Sequence, residues 1–146
     1  MASVEAILQN KGHSVFALKP EATILDALKL MAEKEIGAVL VMEADTVKGI
    51  FSERDYARRG TLVGNPTSTS LKDVMTTRIF YVSPDQSAET CMAQMTDKHI
   101  RHLPVVKDSK VVGVISIGDV VKTVLKDKEE LIIGLENYMV GLDFKQ

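Results

Sequence analysis

GIFSERD, residues 49–55, recurs as GVISIGD at residues 113–119, 64 positions further on. Both phrases are Gly, two apolar residues, Ser, two variable residues and Asp. The match extends outward without a gap from about residue 14 to residue 59. Phe16, Pro20, Met31, Lys34, Ile36, Val41, Val47, Gly49, Ser52 and Asp55 fall on Phe80, Pro84, Met95, Lys98, Ile100, Val105, Val111, Gly113, Ser116 and Asp119. The apolar positions between these identities also agree, so the chain is an internal duplication.

Each copy parses into the same elements. A short apolar strand (VFAL at 15–18, IFYV at 79–82) runs into a proline, which cannot continue a ladder. A helix then starts at a capping residue, Thr23 or Ser87. Its inward positions are Ile24, Ala27, Leu28 and Met31, matched by Ala88, Cys91, Met92 and Met95 at i, i+3, i+4 and i+7. Two strands follow in each copy, AVLVM with VKGIF and HLPVV with VVGVI, across polar hairpin connections. A second helix opens at Ser52 or Ser116. The unit is therefore β-α-β-β-α, and the fold class is α/β (α+β). One unit is too small to cover both its sheet and its helices, so the two are expected to pack with pseudo-twofold symmetry.

Segments outside the duplication complete the organisation. Residues 1–12 form an N-terminal helical segment with Val4, Ile7 and Leu8 on one side. Residues 13–60 are the first repeat, 61–73 a Gly/Pro/Ser/Thr linker, 74–127 the second repeat and 128–146 a C-terminal helix. That last helix carries Leu131, Leu135, Tyr138 and Leu142 at helical spacing, with Ile132 and Met139 beside them. So wide a stripe must be covered, either by the repeats or by another subunit.

Composition excludes several function classes. The 146 residues are 45% hydrophobic and 26% charged with a net charge of −2, an ordinary soluble balance that does not support bulk attraction to nucleic acid. A single cysteine, Cys91, precludes an intramolecular disulfide, and it takes the place of Ala27 as a buried small residue. No signal-like leader or membrane-spanning run is present, so the expected compartment is cytoplasmic. His13, His99 and His102 lack a third ligand at metal-binding spacing. No nucleophile with a base, paired acid and base, P-loop or G-x-G-x-x-G occurs, so an enzyme is not expected.

The twice-written phrase supports two readings. Ser52 with Asp55, and Ser116 with Asp119, stand where a strand gives way to a helix. A hydroxyl and a carboxylate three residues apart there can take the hydroxyls of a ribose, beside helix N–H groups suited to phosphate. The glycine would let the backbone approach a ligand closely, and the apolar pair would wall an adenine. The same residues also form a helix cap, Ser accepting from the N3 amide and Asp favouring the dipole.

The ordered set resembles the CBS domain, here as a tandem pair of the kind called a Bateman module. The resemblance rests on G-φ-φ-S-x-x-D at 49–55 and 113–119, RHLPVV at 101–106 and VMTT at 74–77. The run KG…KPEAT…IGAVLV…GIFSERDYAR is similar to small free-standing bacterial CBS-pair proteins. The resemblance implies two clefts between the repeats that bind adenosine-containing ligands: AMP, ADP, ATP, S-adenosylmethionine or NAD. It implies Asp55 facing Thr77, Arg101, His102, Leu103 and Pro104, with Arg54, Arg58 and Arg59 close by for phosphate. Asp119 would face Gly37, Ala38, Val39 and Leu40 in a cleft with little positive charge, because Gly118 replaces Arg54. The site residues are thus Ser52, Arg54, Asp55, Thr77, Arg101, His102, Pro104, Ser116 and Asp119. A regulatory, ligand-sensing homodimer that acts on a protein partner in trans is the expected function. A scaffold with no ligand is the alternative.

Overall fold

A computed structural model describes residues 2–144, and the side chains of residues 2–140. It divides into two compact units, Ser14–Phe80 and a second formed by Met1–His13 with Tyr81–Gln146.

In the unit spanning residues 14–80, β1 (Ala17–Leu18) runs parallel to β2 (Ala38–Glu43), which pairs antiparallel with β3 (Thr46–Ser52). Helix α2 (Ile24–Lys34) starts at a full capping box: the Thr23 hydroxyl accepts from the Asp26 amide while the Asp26 carboxylate accepts from the Thr23 amide. The box holds the Asp26 carboxyl below the usual carboxylate range, through the Thr23 amide first and its hydroxyl second. One face of α2, Ile24, Ala27 and Met31, is buried against Val39, Val41, Phe51, Leu71 and Val74. Leu28, on the edge of that face, is only half-buried. The chain leaves β3 directly into α3 (Glu53–Arg59), and Thr76 later returns to bridge Ile50 antiparallel.

The other unit repeats this plan with helix α1 (Val4–Lys11) added. Helix α4 (Ala88–Lys98) buries Ala88, Cys91 and Met95, and β4 (His102–Lys107) pairs antiparallel with β5 (Lys110–Ser116). Burial raises the Cys91 thiol pKa, in keeping with a packing role. Val4, Ile7 and Leu8 of α1 are buried, as their spacing requires. His99 caps the C-terminus of α4 at φ 56°, and Glu35 does the same for α2 at φ 54°. The position of His99 is thus fixed by a helix end.

Two expectations change. The opening strands shrink: VFAL retains two paired residues, and of IFYV only Val82 bridges Val105. Each therefore contributes mainly an anchor to the sheet edge. The helices expected at 116–127 and from 128 onward form one element, α5 (Ile117–Phe144), 28 residues long. Its middle, KTVLKDKEEL, holds no Pro or Gly and is rich in strong helix formers, so nothing ends it. The C-terminal stripe does not fold back among the described residues, and Leu142 lies outside the described side chains.

The glycines of the repeated phrase serve the fold. A Cβ on Gly113 would stand 2.6 Å from a Leu8 methyl, so α1 packs on β5 where β5 lacks a side chain. A Cβ on Gly49 would overlap the Met75 sulfur and lie 3.0 Å from the Thr76 carbonyl. Of each apolar pair, Phe51 and Ile115 are fully buried in the core, whereas Ile50 and Val114, on the other side of the strand, are half-buried.

Overpacking at Gly113 should therefore couple to Leu8. Gly113→Ala is expected to cost about 1–3 kcal/mol in urea unfolding, and markedly less in a Leu8→Ala background. Additive losses would show that α1 does not rest on that glycine.

Candidate functional site

The two S-x-x-D turns are built alike. At the first, the Ser52 hydroxyl accepts from the Asp55 amide at 3.1 Å, and Asp55 Oδ2 accepts from the Ser52 amide at 2.9 Å and from its hydroxyl at 3.0 Å. At the second, the Asp119 amide donates to the Ser116 hydroxyl at 3.1 Å, and Asp119 Oδ2 accepts from the Ser116 amide at 2.8 Å. The capping reading is therefore realised at both junctions: each serine and aspartate closes the start of a helix.

Each carboxylate has a further partner, and there the copies diverge. Asp55 Oδ1 accepts from the Thr76 hydroxyl at 3.0 Å. Arg59 Nη1 reaches the Val74 and Met75 carbonyls at 3.3 Å and Thr76 Oγ1 at 3.4 Å, pinning that strand beside Asp55. Arg59 is thus engaged by the backbone next to the site. Asp119 Oδ2 instead accepts from Lys11 Nζ at 2.6 Å, and the same ammonium donates to the Val114 carbonyl at 2.9 Å. Sliding by 64 places Lys11 on Met75 and Gly12 on Thr76. The partner of each aspartate thus comes from the stretch just before the opening strand of the other repeat. Asp55 is sealed by a neutral hydroxyl and Asp119 by a cation.

The immediate partner of Asp119 is a cation that the repeated phrase does not contain. Lys11 neutralises Asp119 directly, and the shallow pocket around them is of mixed charge, lined by Lys11, Lys122 and Lys126 together with Asp119, Asp127 and Glu130. Partial burial works to raise the Asp119 pKa, but the Lys11 bond and charge and the Ser116 donors outweigh it, leaving the carboxyl below its ordinary value. Lys11 was missed because its reach to Asp119 spans 108 positions, which no local motif encodes.

The remaining sequence-derived residues are placed unit by unit. In residues 14–80, Asp55 is buried, Ser52 is half-buried, and Arg54 and Thr77 are exposed. The residue that reaches Asp55 is Thr76, the neighbour of Thr77. In the other unit, His102 stands opposite Ser116 across the ladder, and the Arg101 carbonyl accepts from the Ile117 amide at 2.8 Å. Arg101 is exposed, His102 half-buried and Pro104 buried, its carbonyl accepting from Val82 at 3.0 Å. Among the described residues no three His, Cys, Asp or Glu side chains gather as metal ligands, and no helix is long and apolar enough to cross a membrane.

Comparison with known proteins identifies the architecture. The CBS domain family model matches twice, at residues 10–60 and 71–126. A mitochondrial CBS domain-containing protein of Arabidopsis thaliana, CBSX3, is 34% identical over 95% of this chain and 72% of its own length. The crystal structure of a putative signal-transduction protein with CBS domains from Burkholderia ambifaria superposes with a TM-score of 0.82 at 43% identity, over 86% of this chain and 96% of that one. At 20% identity, a CBS domain pair solved with 5′-methylthioadenosine and S-adenosylmethionine shares the fold, with a TM-score of 0.75 over 87% of this chain and 98% of that one.

The charged form of Asp119 is favoured by folding, so its contribution is present above the unfolded carboxylate value and is lost as pH falls through the folded value. Asp119→Asn should cost roughly 1 kcal/mol at pH 7. That difference should shrink progressively as pH falls below about 4 in urea titrations, and a difference that stays the same from pH 7 down to about pH 2 would refute the ionic account.

Proposed function

Because the chain belongs to the CBS-domain family, in its tandem-pair form, we propose that it is a regulatory binding module that senses an adenosine-containing ligand. AMP, ADP or ATP leads this reading, with NAD and S-adenosylmethionine as further members of the class. Occupancy would be passed on through the shape of a homodimer or through a protein partner in trans. The observation that carries the reading is the paired carboxylates, each held by its serine at the mouth of a helix. A ribose presents two hydroxyls to such a carboxylate, and the helix N-terminus beside it favours phosphate.

The divergence between the two turns ranks them. At Asp55 a ribose hydroxyl replaces the Thr76 hydroxyl, an exchange of one neutral donor for another that costs little net hydrogen-bond energy. At Asp119 it must displace an ammonium from a charge-assisted bond, which is roughly twice as strong as a neutral one. Ligand is therefore assigned first to Asp55 with Ser52, Arg54 and Thr77. Arg101, His102 and Pro104 are the residues that the resemblance adds to that ligand, and Ser116 with Asp119 form the weaker site. The module binds without turnover, so nucleotide recovered after long incubation should be unchanged.

The complete hydrogen bonding of Asp55 favours a second reading, a scaffold in which the phrase is helix capping alone. A thermal-shift panel of AMP, ADP, ATP, NAD, NADH and S-adenosylmethionine on refolded protein separates the two. Ligand at about 100 times its Kd adds roughly 2.7 kcal/mol, a shift of several degrees. Asp55→Asn keeps a capping acceptor but removes the charge. It should weaken calorimetric binding at least about tenfold (about 1.4 kcal/mol), whereas Lys11→Met should strengthen any second, weaker isotherm. No shift with any member of the panel would leave the scaffold standing.

A further inference from the structure

We propose that the short turn Thr61–Val63, at the head of the linker, is a docking tip for an anionic phospholipid surface. Leu62 is 85% exposed, more than any other large apolar side chain among the described residues, and Val63 beside it is 62% exposed. Local hydrogen bonds hold them out. The Gly60 carbonyl accepts from the Val63 amide at 3.2 Å and from the Asn65 amide at 3.1 Å, and Asn65 Nδ2 donates to the Arg59 carbonyl at 2.6 Å. The Tyr56 and Thr61 hydroxyls meet at 3.0 Å, and a Cβ on Gly60 would stand 2.4 Å from the Tyr56 ring. A turn tied at its base in this way keeps its apolar tip in water.

Charge selects the occupant. Residues 56–80 carry four basic side chains, Arg58, Arg59, Lys72 and Arg78, against one acidic, Asp73, in a chain whose net charge is −2. Among the described residues none of the four is ion-paired. Arg58 and Arg59 lead into the tip. Arg59 Nη1 also bonds the Val74 and Met75 carbonyls, so the segment that bears Lys72 and Arg78 runs alongside. From Gly60 to Leu71 no side chain is ionised. The tip can therefore enter a headgroup layer without carrying a charge into it. An uncharged apolar tip bordered by basic side chains combines the two signals of reversible attachment to an anionic bilayer: the apolar pair enters the acyl boundary while the cations meet phosphate and carboxylate headgroups. A stable protein interface needs roughly 800 Å² on each side, far more than two side chains supply. Because the chain as a whole is acidic, the attraction is confined to this patch and is screened by salt. The inference stands independently of the ligand reading, since it uses none of Ser52, Asp55, Ser116 and Asp119.

The chain contains no tryptophan, so Leu62→Trp makes the tip its own reporter. With phosphatidylcholine vesicles holding about 40% phosphatidylserine, the emission of that variant should move to the blue by roughly 10 nm. Sedimentation with the same vesicles should carry down several times more native chain than phosphatidylcholine alone, and about 0.5 M salt should release it. Leu62→Ser with Val63→Ser should bind at least about fivefold less, as should Lys72→Gln with Arg78→Gln, while circular dichroism and the urea midpoint stay native. The proposal is overturned if the native chain does not sediment with the phosphatidylserine vesicles. It is equally overturned if the serine variant binds as well as the native chain, or if the Leu62→Trp emission does not move. A blue shift that grows with protein concentration in the absence of vesicles would overturn it too, assigning the tip to a contact between copies.

Discussion

A helix that begins where a strand ends must find partners for its first N–H groups, and an aspartate that closes the helix must itself be satisfied. In this chain one hydrogen-bonded ring solves both demands at each junction. Ser52 and Asp55 exchange bonds with each other's backbone, as do Ser116 and Asp119. The remaining capacity of each carboxylate is met from elsewhere in the chain. The turn thereby fixes the exit angle of β3 and β5 into their helices.

The second partner of each ring makes the two halves of the sequence interdependent. Met75 and Thr76, at the start of the second repeat, cover Gly49 and reach Asp55 of the first. Leu8 and Lys11, ahead of the first repeat, cover Gly113 and reach Asp119 of the second. Each β-hairpin is thus finished by residues that a simple reading of the duplication would assign to the other copy. The glycine of the repeated phrase is the receptor for that exchanged segment, since any side chain there would displace it. The exchange also lets the copies differ without disturbing the shared frame: a hydroxyl at one carboxylate, an ammonium at the other.

What could be read from the sequence was what repeats or recurs locally. The spacing of Ile24, Ala27 and Met31, and of Ala88, Cys91 and Met95, located the buried faces, and Thr23 and Ser87 located the helix starts. The hairpins followed from apolar runs interrupted by EADT and KDSK. The residues completing the candidate site were not legible for the same reason. Lys11 and Thr76 meet their aspartates across 108 and 21 positions, and neither belongs to a motif of its own. The phrase G-φ-φ-S-x-x-D suggested a ligand wall because its residue types suit one. Burial of Phe51 and Ile115 depends on which way each strand turns its pleat, and a run of apolar residues does not reveal that. Continuity of α5 was obscured because the repeat ends near residue 127 while the helix does not.

That continuity has a mechanical meaning. Asp119 lies in the first turn of a rod of 28 residues, whose length at 1.5 Å per residue is about 42 Å. An α-helix is stiff over such a span, so a small rotation at its root is magnified at its tip. A tilt of about 10° about the Ser116 junction would sweep the far end by roughly 7 Å. The salt link from Lys11 to Asp119 thus acts at the fulcrum of a long lever. What happens to one carboxylate is displayed, several side-chain widths larger, at the other end of the same helix.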